Sequence, residues 1–144
     1  MFQVGVGVVA INDNEEIYVI MKGTSHIGNW FSNAQMFMTD ISDGIFPKSS
    51  ARIPSGASHI LKSLMRSNPT YSIKFIGHSL GAALATIAIA DAAITFGPAR
   101  SRNMHLHSYG SPRVGDAIFV EWISTLGIGS LHRIINVNDP GTDL

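Results

Sequence analysis

The stretch "IKFIGHSLGAALA", residues 73–85, constrains the fold of this 144-residue chain more than any other part of the sequence. Its first residues, 73–76, form an apolar run that predicts a short buried strand. The alanine-rich run that begins at Leu80 predicts a helix. A strand that passes into a helix within so few residues is the start of a β–α–β crossover, so parallel strands are predicted.

The same alternation of strand and helix patterns continues toward the end of the chain. The elements predicted from residue 72 onward are a strand over 72–77, a helix over 80–96 that ends at Gly97-Pro98, a strand over 103–110, a helix over 115–127 and a strand over 131–139. Upstream, the patterns predict a hairpin over 4–11 and 17–21, mostly loop over 24–50, and a helix over 55–67. Because crossovers between parallel strands are right-handed, this order predicts a three-layer α/β fold with a mostly parallel central sheet, in a single domain over 1–144.

Composition argues against several classes of function. The formal net charge is zero, so the sequence does not indicate a nucleic-acid partner. Cysteine is absent, which excludes disulfides and thiolate ligands, and no metal or cofactor is predicted. No run is long and apolar enough to predict a transmembrane segment. The oligomeric state is left open by these features.

The beginning of the chain has the pattern of a strand rather than of a signal peptide. Residues 1–10 are apolar, but they alternate with glycine and lack a basic start. Localisation is therefore not predicted from the residues themselves. A chain that begins within a strand is expected to be a truncated form of a longer one.

Ser79 lies between Gly77 and Gly81 at the point where strand becomes helix, which is the arrangement of a nucleophile elbow. The glycines lack a Cβ, so strand and helix can approach closely, and the serine is predicted in a strained conformation with its hydroxyl exposed. The amide of Leu80, at the helix N-terminus, is predicted to face a developing oxyanion. A tight strand–helix turn without catalytic function would use the same residue types, so that alternative stays open.

Three stretches together closely resemble the fungal lipases of the class 3 type. They are "GHSLGAALA" at 77–85, "YGSPRVGDAIFVEWI" at 109–123 and "RIINVNDP" at 133–140. The resemblance extends over about 4–140 and is poor across 40–58. It implies a partial α/β-hydrolase fold and a serine ester hydrolase of acylglycerols or other carboxylic esters, which meets its lipid substrate at an oil–water interface. Family members are commonly secreted.

The resemblance also implies roles for individual residues. Ser79 matches the nucleophile that becomes acylated, and Asp139 matches the acid that orients the catalytic histidine. Thr24 and Leu80 match the two residues whose amides form the oxyanion hole. Without the resemblance, Thr24 is an ordinary residue after a glycine turn, and Asp139 is an ordinary Asp-Pro turn.

A lid is implied by a further part of the match. Ile27, Trp30 and Phe31 correspond to the amphipathic segment that covers the serine in water and moves aside at a lipid surface. The alternative is that Trp30 is buried in a cluster of loop residues. Arg113 and Asp116 are predicted to be structural, as a pair or as a cap of the following helix.

A catalytic base is the missing part of the predicted site. In this fold the triad follows the order serine, acid, histidine. All six histidines precede Asp139: His26, His59, His78, His105, His107 and His132. Because the family's histidine lies downstream of the acid, the chain is expected to be truncated and its activity is in doubt.

None of the histidines present is a convincing substitute for the missing base. His105 and His107 share one face of a strand and are predicted to be core or helix-facing residues. Two histidines at this spacing, without a third ligand, do not indicate a metal site. His132 is predicted at the beginning of its strand, far from the serine. His26, in the lid-like loop, is the least implausible candidate.

Two further hypotheses remain beside the esterase. A non-catalytic relative would keep the elbow and an acyl-binding groove without turnover. A peptidase or thioesterase on the same fold would also carry the elbow, although Thr24 and the segment 110–115 argue for the lipase type.

Overall fold

A computed structural model describes residues 9–23 and 55–135 of the protein. The elements in chain order are β1 (Val9–Ile11), β2 (Glu16–Met21), α1 (Ser55–Ser67), β3 (Ser72–His78), α2 (Leu80–Phe96), α3 (Pro98–Ser101), β4 (Met104–Tyr109), α4 (Ala117–Ser124) and β5 (Ser130–Ile134). The strands form one sheet in the order β1-β2-β3-β4-β5, in which β1 is antiparallel to β2 and the later pairs are parallel. The prediction of an α/β fold with a mostly parallel sheet is confirmed.

Most element boundaries agree with the prediction, and the differences have local causes. Helix α4 is shorter than the predicted 115–127, because Asp116 caps its N-terminus and a turn follows Ser124. The short helix α3 was not predicted. It begins at Pro98, whose fixed φ suits the first helical position, directly after Gly97 ends α2 with a φ of 76°.

Helices α1 and α2 pack on the same face of the sheet. The parallel strands follow one another in chain order, and right-handed crossovers then place each connecting helix on that face. The main core contains alternate residues of β2, β3 and β4, such as Ile17, Phe75 and Leu106, against Leu61 of α1 and Ile89 of α2. The described residues therefore supply the sheet and the helical layer on one of its faces.

Helix α2 lies at the centre of this layer and is mostly apolar, with Asp91 as its one charged residue. Its buried side chains are small, mostly alanines, and the larger Ile89 is fully buried. Small side chains let the helix axis approach the sheet closely, which the elbow at its N-terminus requires. Among the helices that the structure describes, none is long and apolar enough to cross a membrane.

The opposite face of the sheet carries polar side chains, and we call the group His105, His107 and His132 the histidine face. The ring centroids of His107 and His132 lie 5.3 Å apart in a stacked arrangement. The Nδ1 atom of His105 lies 2.9 Å from the hydroxyl of Ser130. The prediction that His105 and His107 are core or helix-facing residues is wrong with respect to the described helices, because strand alternation turns Met104 and Leu106 toward those helices instead. His132 is also misplaced by the prediction, since it lies mid-strand opposite His107.

Burial lowers the pKa of both His105 and His107. The loss of hydration is the largest cause, and the positive charges of Lys74 and His132 act in the same direction. Both imidazoles therefore favour the neutral form in the folded protein more than they do in the unfolded chain.

A second polar group joins β2 to β3 on this face. The Glu16 carboxylate accepts hydrogen bonds from Lys74, from the Tyr18 hydroxyl at 2.5 Å and from the Asn12 amide at 2.9 Å. The bond from Lys74 is the largest cause that lowers the pKa of Glu16 to about 2. The Glu16 carboxylate stabilises the fold fully at pH values above the pKa that Glu16 has in the unfolded chain. This stabilisation is lost as the pH falls from that pKa toward 2.

We predict that acidification from about pH 7.5 to about pH 5.5 lowers the melting temperature through the histidine face. The pKa values of His105 and His107 are lower in the folded protein than in the unfolded chain, so the unfolded chain binds more protons in this range. Thermal unfolding across this range should show a smaller decline in the double variant His105→Gln, His107→Gln than in the wild type. His59→Gln, on the exposed surface of α1, is the control and should retain the full decline. An unchanged decline in the double variant would contradict the assignment.

Candidate active site

Ser79 is the single residue between the end of β3 and the start of α2. Its backbone has φ 56° and ψ −126°, a left-handed φ that L-residues adopt rarely. Such strain costs roughly 1–3 kcal/mol and persists only where the surroundings hold it. Here the Ser79 amide donates to the Tyr109 carbonyl at 2.9 Å, and the Ser79 carbonyl accepts from Ala82 at 2.9 Å and Ala83 at 3.3 Å. The end of β4 and the first turn of α2 therefore hold the strained residue.

Glycines bring three backbone segments into direct contact around Ser79. A Cβ atom on Gly77 would lie 2.1 Å from the carbonyl oxygen of Gly81, and one on Gly81 would lie 2.3 Å from that of Met21. A Cβ on Gly23 would lie 2.7 Å from the carbonyl oxygen of His78. No side chain fits at these distances. The end of β2, the end of β3 and the start of α2 can meet only because these positions are glycine.

The Ser79 hydroxyl does not cap α2, although serine is a common N-cap residue. With φ 56° the side chain is not directed at the helix amides, and no capping hydrogen bond forms. Ser79 as a whole residue is buried, with 8% of its surface exposed, and the exposure of its hydroxyl stays a prediction. The reason for the burial is its central position, because the end of β2 lies against the elbow on one side and the end of β4 on the other. The role of Ser79 as nucleophile stays a prediction.

Leu80 is the first residue of α2, and its position defines one donor of the predicted oxyanion hole. Amides in the first turn of a helix have no carbonyl acceptor within the helix. They also lie at the positive end of the macrodipole, here that of a helix of 17 residues. The backbone beside Ser79 is thus suited to stabilise negative charge, and the role of Leu80 stays a prediction.

The loop after β4 ties the carboxyl ends of β4 and β5 together. The Gly110 amide donates to the Ile134 carbonyl at 2.8 Å, and the Arg133 guanidinium donates to the Ser111 carbonyl at 3.1 Å. Asp116 accepts from the Phe119 amide at 2.9 Å and so caps α4, as one of the two predicted alternatives stated. These bonds align the end of β5 with the edge of the sheet at which Ser79 lies.

Arg133 is a residue of this edge that the sequence analysis did not single out. It pairs in register with Ser108, which lies on the helix-facing side of β4. A charged residue at a strand position where alternation predicts an apolar one is the signal that would have identified it.

Five of the predicted site residues lie outside the described residues: Thr24, Ile27, Trp30, Phe31 and Asp139. The same holds for His26. The chain is described to Gly23 on one side of the elbow and to Ile135 on the other. Because β2, β3, β4 and β5 are parallel, their carboxyl ends reach the same edge of the sheet as Ser79.

The histidines within 9–23 and 55–135 do not supply a base at Ser79. His105, His107 and His132 lie on the histidine face, and His59 is exposed on α1. His78 directly precedes the serine, but it is exposed at the end of β3, where the preceding residue, Gly77, is buried. Within the same ranges no cluster of His, Asp and Glu is arranged to hold a metal ion.

Comparison with known proteins identifies the family of this chain. Residues 18–144 match the family described as Lipase (class 3). The chain belongs to the class 3 lipase family. It is 30% identical over 142 residues to the secreted mono- and diacylglycerol lipase A of Penicillium cyclopium, covering 93% of this chain and 45% of that protein. A second similar protein is the chloroplastic/mitochondrial phospholipase A1 EG1 of Oryza sativa, 41% identical over 73 residues, which covers 51% of this chain and 16% of the relative.

Solved lipase structures share the fold of this class 3 lipase chain. A fungal lipase–inhibitor complex superposes with a TM-score of 0.76 at 24% identity, covering 94% of this chain and 54% of that one. The Rhizomucor miehei lipase with its propeptide gives a TM-score of 0.69 at 26% identity, covering 94% and 46%. The α/β-hydrolase fold is thereby confirmed. The chain spans about half the length of the relatives that it matches.

We predict that Gly77→Ala and Gly81→Ala each destabilise the protein by about 3 kcal/mol, because the added methyl group meets backbone that cannot move aside. Gly97→Ala is the comparison. Apart from Gly97 and its two chain neighbours, no atom lies within 4 Å of the added Cβ, so only the left-handed φ opposes the substitution, at about 1 kcal/mol. Urea unfolding monitored by circular dichroism measures the three differences. Equal losses at the three positions would show that close packing at the elbow is not the dominant constraint.

Proposed function

We propose that this chain is the nucleophile-bearing part of a serine ester hydrolase of the class 3 lipase type, with Ser79 as the residue that becomes acylated. The observation that carries the proposal is the strained backbone of Ser79, held at φ 56° directly before the N-terminus of α2. Strain at a polar residue beside free helix amides is a recurrent feature of catalytic sites rather than of ordinary turns.

The proposed reaction begins with attack of the Ser79 oxygen on the carbonyl carbon of an ester. The resulting oxyanion accepts hydrogen bonds from the Leu80 amide and, by resemblance to the family, from Thr24. The tetrahedral intermediate then expels the alcohol and leaves an acyl group on Ser79, which water hydrolyses to release the carboxylic acid. The electrostatic contribution of the α2 N-terminus acts where negative charge develops, so it favours the transition state more than the substrate.

A base is required to take the Ser79 proton, and in the family that base is a histidine oriented by an acid at the position of Asp139. Serine hydrolases that lose a member of the triad keep only the contribution of the oxyanion hole and of binding, orders of magnitude below the full rate. We therefore expect slow turnover from these 144 residues by themselves.

The substrate class is proposed from the relatives. One of them is a mono- and diacylglycerol lipase and another a phospholipase A1, and both activities cleave the carboxylic ester of an acyl chain on glycerol. Because only 8% of the surface of Ser79 is exposed, we expect an acylglycerol to need an opening to reach it. If Ile27, Trp30 and Phe31 form a lid, its movement at an oil–water interface would open a path to Ser79.

We predict that a fluorophosphonate probe labels Ser79, since an activated serine oxygen attacks the phosphorus of such probes. Mass spectrometry of the digested protein identifies the labelled residue, and labelling in the presence of a detergent interface should exceed that in buffer alone. Ser79→Ala should abolish labelling, whereas Ser72→Ala, at the other end of β3, should leave it unchanged.

The alternative is a lipase-like chain that binds acyl groups without turnover. It is favoured by the lack of a histidine base at Ser79 within the described ranges. Absence of labelling at Ser79 in folded protein, with or without detergent, would support this alternative and contradict the esterase.

A further inference from the structure

A groove separate from the elbow lies between α4 and the strands β4 and β5. Its volume is about 750 Å³, within the range of pockets that hold small ligands. Leu106 and Leu131 form part of its floor, and Phe119, Val120 and Ile123 form its wall along α4. Ser79 is not among the described residues that line it. The groove is thus a mainly apolar space apart from the proposed nucleophile.

The floor of the groove contains a buried hydroxyl that has no partner. Ser108 is 1% exposed, and its Oγ atom makes no hydrogen bond. A buried polar atom without a partner costs about 1–3 kcal/mol, and such atoms are uncommon in folded proteins. A ligand that brings a hydrogen-bond acceptor to this point would remove the cost.

The neighbouring strand carries a cation whose side chain is exposed to solvent. Arg133 is the register partner of Ser108 across β4 and β5, and both residues line the groove. One guanidinium nitrogen donates to the Ser111 carbonyl at 3.1 Å. Within 9–23 and 55–135 the ion pair present is Lys74–Glu16, so Arg133 has no carboxylate partner there. The guanidinium retains donors for an anion.

Two carboxylates also line the groove, but both belong to the α4 side. Asp116 is engaged in capping the helix, and Glu121 is exposed to solvent. A second arginine, Arg113, also lines the groove and donates to the Gly115 carbonyl at 3.0 Å. Ser108 and Arg133 therefore offer hydrogen-bond donors and one positive charge next to an apolar wall.

From these features we infer that the groove is a binding site for the carboxylate of a fatty acid. The carboxylate accepts hydrogen bonds from Ser108 and from the guanidinium of Arg133, and the alkyl chain lies against Phe119, Val120 and Ile123. Charge-assisted bonds of this kind are stronger than neutral ones, and burial of the chain adds a contribution for each methylene group. The inference does not depend on catalysis at Ser79.

Titration calorimetry with decanoate, at a concentration below its aggregation, tests the site in the wild-type chain. Saturable binding is expected, and decan-1-ol, which has the same chain without the charge, should bind more weakly. Arg133→Gln should weaken decanoate about tenfold or more, and the matched control Arg102→Gln, exposed and outside the groove, should not change it.

Ser108→Ala gives a readout that a purely structural role would not produce. Removal of an unpaired buried hydroxyl should leave the melting temperature unchanged or raise it, while decanoate binding weakens about threefold to tenfold. Ser79→Ala should bind decanoate as the wild type does, which separates this site from the proposed nucleophile.

Each of the following results would overturn the inference: no saturable binding, equal affinity for decanoate and decan-1-ol, loss of binding in Ser79→Ala, or undiminished binding in both Arg133→Gln and Ser108→Ala. Light scattering adds a further check. A stable dimer that Val120→Glu dissociates would mean that another polypeptide fills the groove.

Discussion

The close approach of three backbone segments at Gly77 and Gly81 is the constraint on which the rest of the structure depends. At these two positions strand β3, helix α2 and the end of β2 meet at distances that leave no room for a side chain. The strained conformation of Ser79 follows from this contact, because the chain must turn from strand to helix at one residue. The side chains of α2 that face the sheet must then be small, and most of its buried residues are alanines.

Hydrogen bonds between the strand ends extend this constraint to β4 and β5. The Ser79 amide bonds to Tyr109, the Gly110 amide to Ile134, and Arg133 to the loop at Ser111. A shift in the position of one strand end therefore alters the position of the next strand end. The same edge carries the proposed oxyanion donor, the proposed nucleophile and, on the helix side, the groove with its unpaired Ser108 hydroxyl. The proposed catalytic site and the proposed ligand site would thus both be positioned by the hydrogen-bonded ends of β3, β4 and β5.

Elements with strong local signals could be predicted from the sequence, and those that depend on neighbours could not. Helices α1 and α2 begin and end where predicted, because their apolar periods and their terminators, Asn68-Pro69 and Gly97-Pro98, are local features. The faces of His105 and His107 were assigned wrongly, since alternation along a strand does not say which face receives the helices. The low exposure of Ser79 as a whole residue could not be predicted from the elbow alone, since the ends of β2 and β4 that lie against it are distant in sequence.

The sequence by itself determined the class of fold, the elbow around Ser79 and the membership of the class 3 lipases, because turn glycines, helix periods and motif order are all carried by adjacent residues. Only the tertiary structure decided how deeply Ser79 is buried, which residues form the histidine face, and that Ser108 and Arg133 lie together beneath α4. These features arise from strand order and register, which bring together residues that the chain itself keeps far apart.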